Sequence, residues 1–132
     1  MDTNDTNGED SSLLFKELSY KIVGAAMDVH NELGFGFLEK LYENAMMIVL
    51  REKGVKAVQQ FPIPVRFHGE IIGDYFADIL VDDSVILELK AQDRISDIHK
   101  AQALHYLKAT GFRLALLINF GKHRLEYERL VL

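Results

Sequence analysis

The stretch that decides the fold is residues 75–90, which read YFADILVDDSVILELK. Apolar residues dominate both halves of this stretch, and the polar segment 82–84 (DDS) separates the halves. Short apolar runs bounded by turn residues are typical of strands. We therefore predict a strand over residues 71–81, a three-residue turn, and a second strand over residues 85–91. Strands joined by so short a turn are expected to pair antiparallel.

Side chains alternate between the two faces of a strand, and the alternation sets charged groups among apolar ones here. With a three-residue turn, Val81 pairs with Val85, and counting back puts Asp78 opposite Glu88. Carboxylates about 4 Å apart repel by roughly 1 kcal/mol in water and by about 4 kcal/mol at an effective dielectric of 20. Lys90, on the same face as Glu88, offsets one charge. A divalent cation would offset the rest, and Mg²⁺ prefers oxygen ligands.

Two other interpretations of these charges stay open at this point. A two-residue turn would place Asp78 and Glu88 on opposite faces of the sheet. Alternatively, the charges belong to a solvated outer face with an ordinary Glu–Lys pair, because exposed ion pairs are common and contribute little stability. The spacing Glu-x-Lys is also too short to be specific by itself.

The rest of the chain divides into segments with clear periodicity. Apolar residues at steps of three and four predict a helix from Leu14 to Leu33, ended by Gly34 and Gly36. A second helix follows up to Gly54. Its expected inward side chains are Leu38, Leu41, Ala45 and either Ile48 or Val49. For Glu43 on this helix we expect ordinary exposed surface.

After the second helix the pattern changes to strands. Residues 55–67 form a strand that Pro62 and Pro64 confine to the sheet edge or interrupt. Further on, a helix is expected from Ser96, its N-cap, to Ala109, and strands are expected over residues 112–119 and 125–132. The element order ααβββαββ, with a strand–helix–strand crossover joining parallel neighbours, predicts an α/β sandwich with a mixed sheet.

Composition limits the classes of function. The chain of 132 residues suits one domain, which we place at residues 12–132, after a disordered acidic leader over residues 1–11. The sequence has no cysteine, no apolar run long enough to span a membrane, and no secretory signal, which fits a cytoplasmic protein. The five histidines are scattered, so a zinc site is not indicated.

A net charge of −5 argues against binding to nucleic acid. Four acidic residues of the leader carry most of that excess, and the remaining chain has 15 basic and 16 acidic residues. Some of these remaining acids belong to the candidate metal site, where a bound cation would offset them. The objection is therefore reduced, although no basic stripe is evident.

Glu39, and the pair formed by Gln102 and Tyr106, are further candidates for the site. Glu39 follows the glycine turn and lies in the first turn of its helix, where negative charge is favoured. Gln102 and Tyr106 are four residues apart on the third helix and so share a face. Gln102 can donate and accept hydrogen bonds, and Tyr106 can contact a phosphate or stack on a base. Packing of a helix edge on the sheet would explain the pair Gln102 and Tyr106 equally well.

The residues GFLEKLY, 36–42, fit the pattern GxxExxY. Asp78, the triplet Glu88-Leu89-Lys90 and the pair Gln102-x-x-x-Tyr106 follow in order. From about Leu18 to its end the chain thereby resembles the GxxExxY proteins of the PD-(D/E)XK nuclease superfamily. It departs from the superfamily pattern at Ala77, which stands where proline is usual but carries no catalytic group.

The resemblance implies a restriction-endonuclease-like fold, with a central mixed sheet flanked by helices. It implies that Asp78 and Glu88 bind Mg²⁺, for which Mn²⁺ can substitute, and the Leu89 carbonyl is a possible further ligand. Lys90 then positions or activates the attacking water, or stabilises charge in the transition state. The implied supporting residues are Glu39, which matches the acidic residue of an early helix, Tyr42 of the GxxExxY pattern, and Gln102 and Tyr106 of the QxxxY element.

Three functions are therefore considered. The first is a Mg²⁺-dependent nuclease that hydrolyses phosphodiester bonds in DNA. The second is a binding or regulatory module on a nuclease fold without turnover, which the acidic balance favours. The third is a protein–protein module that pairs through the apolar edge at residues 61–67. A homodimer is compatible with all three. The sequence does not distinguish DNA from RNA, or a single strand from a duplex.

Overall fold

The computed structural model describes residues 15–132, which form a five-stranded sheet and three helices. The elements are α1 (Lys16–Leu33), α2 (Glu39–Glu52), β1 (Ala57–Phe67), β2 (Glu70–Val81), β3 (Val85–Lys90), α3 (Asp97–Thr110), β4 (Leu114–Asn119) and β5 (Glu126–Val131). The order ααβββαββ is as predicted. The expected leader, residues 1–11, and the expected helix start at Leu14 lie outside the described residues.

The strands are arranged in the order β1-β2-β3-β4-β5. The β3–β4 pair is parallel and the three other pairs are antiparallel, so the sheet is mixed, as predicted. Helix α3 provides the crossover between the parallel strands. Strand β1 lies at the edge, where the missing N–H groups of Pro62 and Pro64 cost least.

The turn between β2 and β3 has three residues. Val81 pairs with Val85, and the Ser84 N–H donates to the Val81 carbonyl at 2.9 Å. This register rules out the two-residue turn that would have separated Asp78 from Glu88.

The sheet buries a different cluster on each face. The first, here named the α1–α2 cluster, packs both N-terminal helices on the sheet through Ile22, Val29, Tyr42, Met46, Leu87, Leu89 and Phe120, among others. The second, the α3 cluster, includes Ile63, Ala77, Leu80, Ile86 and Leu107. Leu89 and Ile86 on the same strand therefore pack on opposite faces, and β3 is buried from both sides.

Strands β1 and β2 reverse their faces at one position. Ala57, Ile79 and Val81 pack with the α1–α2 cluster, whereas Phe61, Ile63 and Ala77 pack with the α3 cluster. All six are odd-numbered, so strict alternation would have placed each strand's members on one face. The pairing runs from Gln59–Ile79 to Phe61–Ala77 across this break, and Gln60 has φ of 56°. The break therefore lies at Asp78 and the residue facing it.

The inward face expected for α2 is wrong in part. Leu38 is 84% exposed, and Leu41 and Ile48 are also exposed, whereas the buried side chains are Tyr42, Glu43, Met46 and Leu50. The ring of Tyr42 stacks on Phe120 with centroids 4.6 Å apart. Packing of this large ring sets the rotation of α2 about its own axis. That rotation differs by about one residue from the one predicted from Leu38 and Leu41.

Helix α3 has the caps that its sequence predicts. The Ser96 hydroxyl accepts from the His99 N–H, the His99 ring accepts from the Ser96 N–H, and Gly111 ends the helix with φ of 83°. Within residues 15–132, no helix has both the length and the apolar character that a membrane span requires.

Candidate active site

Asp78 and Glu88 converge where β2 and β3 separate. The last backbone pair of this ladder is Ile79–Leu87. Beyond this pair, the side-chain carboxylates of Asp78 and Glu88 accept the hydrogen bonds between the two strands. The Asp78 N–H donates to Glu88 Oε2 at 3.1 Å, and the Leu89 N–H donates to Asp78 Oδ2 at 2.7 Å. The face reversal at Asp78 thus opens the ladder and places both acidic side chains in the gap.

The two carboxyl groups are held away from water. Glu88 is 5% exposed, and Asp78 is partly buried. Burial, together with the neighbouring Glu43, raises the pKa of Asp78 to about 6. Burial, followed by the charge of Asp78, raises the pKa of Glu88 to about 8. The shared and largest cause is burial, which disfavours the ionised form of each group, and nearby negative charges add to it.

Lys90, at the end of β3, offsets part of the negative charge of Asp78 and Glu88. Its ammonium lowers the pKa of both carboxyl groups, but burial and the other acids outweigh it. The described residues therefore leave an excess of negative charge at the gap when both groups are ionised.

Glu43 belongs to this charge cluster, and its interpretation as exposed surface is wrong. The residue is 4% exposed, and its charge raises the pKa of both Asp78 and Glu88. Its carboxylate accepts hydrogen bonds from the side-chain amides of Gln59 and Gln60, which flank the break in β1, and from the Lys40 ammonium at 3.0 Å. Rotation of α2 away from its leucine stripe carries Glu43 inward.

Glu39 and Tyr42, which belong to the GxxExxY pattern, have different positions. Glu39 is exposed in the first turn of α2, and its charge raises the pKa of Asp78, so it lies at the outer side of the cluster. The fully buried Tyr42 is not placed to contact a substrate. Its hydroxyl donates to the Gly34 carbonyl at 2.7 Å and accepts from the Phe37 N–H at 3.3 Å. It braces the glycine turn that leads into α2.

Helix α3 closes the site from the other face of the sheet. Burial and then the charge of Glu88 raise the pKa of Tyr106 to about 12, so its hydroxyl lies within reach of that carboxylate's field. Tyr106 is only 6% exposed, whereas Gln102 is partly exposed one turn earlier on the same face. Tyr106 thus lies close to the site, and Gln102 is the more accessible member of the predicted pair.

His99 is a residue that the sequence reasoning missed. Its Nδ1 accepts from the Ser96 N–H at 3.2 Å, so the neutral ring carries its proton on Nε2. Burial, followed by the charge of Lys90, lowers the pKa of His99, while Glu39 acts in the opposite direction. His99 therefore lies within reach of both ends of the site. Its position three residues after the capping Ser96 was the available signal.

A buried amide fixes the segment between Lys90 and α3. The Asn119 side chain accepts from the N–H groups of Gln92 and Gly121 at 3.0 Å and donates to the Gln92 carbonyl and to Glu126. Asn119 is fully buried beside Lys90, its partner in the parallel ladder. This network was not anticipated, because an asparagine ending an apolar strand gives no hint of its partners.

Within residues 15–132, no group of three or more His, Asp or Glu side chains forms a ready-made metal cluster. The donor set nevertheless fits Mg²⁺, which is commonly held by one or two carboxylates together with water and substrate phosphates. Asp78 and Glu88 supply those carboxylates, each with one oxygen tied to a backbone N–H.

Comparison with known proteins agrees with this architecture. A solved structure titled "Crystal structure of SSO0001" is similar to the chain, with a TM-score of 0.51 and 17% sequence identity. The similarity covers 89% of this chain and 57% of that one, so this chain spans little more than half the length of that protein. Identity this low shows the fold alone, which is restriction-endonuclease-like. No curated protein sequence matches the chain.

The family model of the PD-(D/E)XK nuclease superfamily matches residues 16–130, which run from the first residue of α1 into β5. Because that match spans most of the 132 residues and every element of the site, the chain belongs to the PD-(D/E)XK nuclease superfamily.

Proposed function

We propose that this protein is a Mg²⁺-dependent nuclease that hydrolyses phosphodiester bonds in DNA, with Asp78, Glu88 and Lys90 as its catalytic residues. The observation that carries the proposal is the convergence of two buried carboxylates, with raised pKa values, in the gap between β2 and β3. Such an arrangement is costly for folding alone and is typical of functional sites. Membership of a nuclease superfamily whose enzymes generally use divalent metals supports the same conclusion.

Asp78, Glu88 and the carbonyl of Leu89 are the groups that would hold the cation. When bound, a divalent cation supplies Lewis-acid polarisation of the phosphate and a water of lowered pKa. Lys90 contributes a fixed positive charge next to the reacting phosphate, or orients the attacking water. Glu39 and Glu43 increase the negative potential that attracts the cation, and Gln59 and Gln60 hold the Glu43 carboxylate in place.

Helix α3 contributes the groups that face the substrate. Gln102 is partly exposed and can bond to a phosphate or a base. The neutral His99 ring, with its proton on Nε2, can donate to a phosphate oxygen without adding charge. Tyr42 contributes indirectly by bracing the turn before α2. We assign the protein to the GxxExxY group on the pattern at residues 36–42, and we propose that it works in the cytoplasm, with a homodimer as the form that cuts both strands of a duplex.

The test is cleavage of end-labelled DNA by the purified protein in Mg²⁺, with single-stranded and duplex substrates. Asp78→Asn and Lys90→Ala are expected to lower the rate by about 100-fold or more. Asp74→Asn, which changes an exposed acid on the same strand, is the matched control and should cut normally. Equal cleavage by all these samples would identify a contaminant as the source of the activity.

The net charge of −5 opposes the approach of a nucleic-acid substrate and so favours a second candidate, a nucleic-acid-binding or regulatory module on the nuclease fold without turnover. Under that function, the protein would bind DNA in Ca²⁺ and leave it intact in Mg²⁺ and Mn²⁺. The cleavage assay therefore separates the two candidates if binding is measured in parallel.

A further inference from the structure

A groove of about 720 Å³ runs between the β1–β2 hairpin and α3, next to the candidate site. Its lining includes Arg66 and Tyr75 from the hairpin and Ile98, Gln102, Tyr106 and Lys108 from α3. Gln102 and Tyr106 belong to both the groove and the candidate site. The groove therefore adjoins the candidate site at Tyr106, on which the charge of Glu88 acts.

The charge of the groove differs from that of the whole chain. The chain carries −5 overall, yet the groove is lined by Arg66, Lys108 and His105 and by no aspartate or glutamate among the described residues. All three of these side chains are exposed. A cationic rim on an acidic protein is complementary to a ligand with regularly spaced negative charges, such as a phosphate backbone.

The rest of the groove lining is mostly aromatic and apolar. The Tyr75 ring is 50% exposed and lies 5.9 Å from the ring of Tyr106, and Ile98 is 78% exposed. Aromatic rings of this kind stack with the faces of unpaired bases. A duplex hides those faces and presents phosphates to the protein, so it would leave the apolar lining unused.

We propose that this groove binds an unpaired nucleic-acid strand, with a base stacked on Tyr75 and backbone phosphates at Arg66 and Lys108. The strand then leads past Gln102 into the carboxylate gap. This inference rests on the proposed nuclease function and narrows its substrate class to single strands or to the unpaired ends and flaps of duplexes.

The test measures binding without turnover, in Ca²⁺, by fluorescence anisotropy of a labelled 12-nucleotide single strand and of the same sequence as a duplex. The protein should bind the single strand at least about tenfold more tightly. Tyr75→Leu should weaken single-strand binding about tenfold, whereas Tyr75→Phe, which keeps the ring, should bind normally. Tyr20→Leu, at a ring 82% exposed on α1, is the matched control.

The double variant Arg66→Gln/Lys108→Gln tests the phosphate contacts. The slope of the logarithm of the binding constant against the logarithm of the salt concentration is negative. The double variant should make it less negative by about 1.4, as expected for two lost phosphate contacts to a single strand. Lys21→Gln/Arg51→Gln removes the same charge from exposed sites outside the groove and should leave the slope unchanged. Thermal melting of each variant checks that it is folded.

The outcomes separate this inference from the nuclease proposal. Single-strand binding that depends on the groove, without cleavage in Mg²⁺, would sustain the groove assignment and end the hydrolase assignment. Cleavage in Mg²⁺ with groove variants indistinguishable from their controls would overturn the groove alone. Preference for the duplex, equal binding of both forms, or no binding of nucleic acid would also overturn it.

Discussion

At the scale of the residue, Glu43 shows how packing changes the meaning of a carboxylate. The sequence pattern of the second helix places Glu43, which follows Tyr42, on the solvent-facing side. In the fold it is buried, receives hydrogen bonds from two glutamine side chains, and acts on the pKa of both Asp78 and Glu88. Glu43 therefore adds to the negative potential that Asp78, Glu88 and, more weakly, Glu39 create at the gap.

Replacing Glu43 by glutamine should lower the pKa of both Asp78 and Glu88, because a neighbouring negative charge is removed. The measurement is an NMR titration of the side-chain carboxyl carbons in the metal-free protein. Glu39→Gln is the matched control on the same helix. It should lower the pKa of Asp78 less, since Glu39 is exposed and acts more weakly. Unchanged pKa values of Asp78 and Glu88 in Glu43→Gln would show that the charge of Glu43 does not act on the site.

The raised pKa values also predict how stability depends on pH. Where an acid has a higher pKa in the folded state than in the unfolded state, the protein loses stability as the pH rises from the unfolded-state pKa through the folded-state pKa. For Asp78 and Glu88 that window extends from about pH 4 to about pH 8. The metal-free Asp78→Asn/Glu88→Gln variant should therefore exceed the parent in stability at pH 8, by on the order of 2 kcal/mol.

Urea unfolding at pH 5 and pH 8 measures this difference. The advantage of the double variant should grow between the two pH values. A parent protein that is the more stable of the two at pH 8 would mean that the carboxylates are stabilised in the fold without any cation.

At the scale of the element, the sequence predicted the order, the types and most boundaries of the helices and strands. It succeeded because caps and turns are local: Ser96 and Gly111 bound α3, and the segment 82–84 joins β2 to β3. The rotation of α2 and the face reversal near Asp78 were not predictable. Both depend on contacts between distant segments, such as the stacking of Tyr42 on Phe120.

Among the glycines that the structure describes, Gly121 has the least room for a side chain. A Cβ there would lie 2.3 Å from the Gln92 backbone nitrogen, in the segment that leads from Lys90 to α3. Gly121→Ala should therefore destabilise the protein by about 1–3 kcal/mol and reduce cleavage, because that segment must move. Gly24→Ala is the control: it meets no atom within 4 Å inside α1 and should stabilise the fold by about 0.5–1 kcal/mol. Denaturant unfolding of both variants measures the difference, and equal stability would contradict this close approach.

At the scale of the whole molecule, the candidate site is built from several elements that are separate in sequence. The sequence predicted that Asp78 and Glu88 lie opposite each other because a short turn joins their strands, whereas their assignment with Lys90 to a metal site depended on the family resemblance. The groove, Tyr75 and His99 were not identified from the sequence, since their roles arise only when α3 packs against the hairpin. An acidic net charge likewise conceals the cationic lining of that groove.

Binding of a divalent cation should stabilise the whole fold. At a Mg²⁺ concentration 100 times its dissociation constant, the gain is about 2.7 kcal/mol, which corresponds to a rise in Tm of about 10 °C for a chain of this length. The rise should be larger at pH 8 than at pH 5, where protons compete for Asp78 and Glu88. Differential scanning fluorimetry measures it, and Asp78→Asn should abolish it. A rise of equal size in that variant would place the cation elsewhere.

The most direct measurement is a crystal structure of the protein soaked in Mn²⁺, read by anomalous scattering. The account predicts one strong peak bridging the carboxylates of Asp78 and Glu88, beside Lys90. At saturating Mn²⁺, an empty gap, or carboxylates turned away from each other, would contradict it.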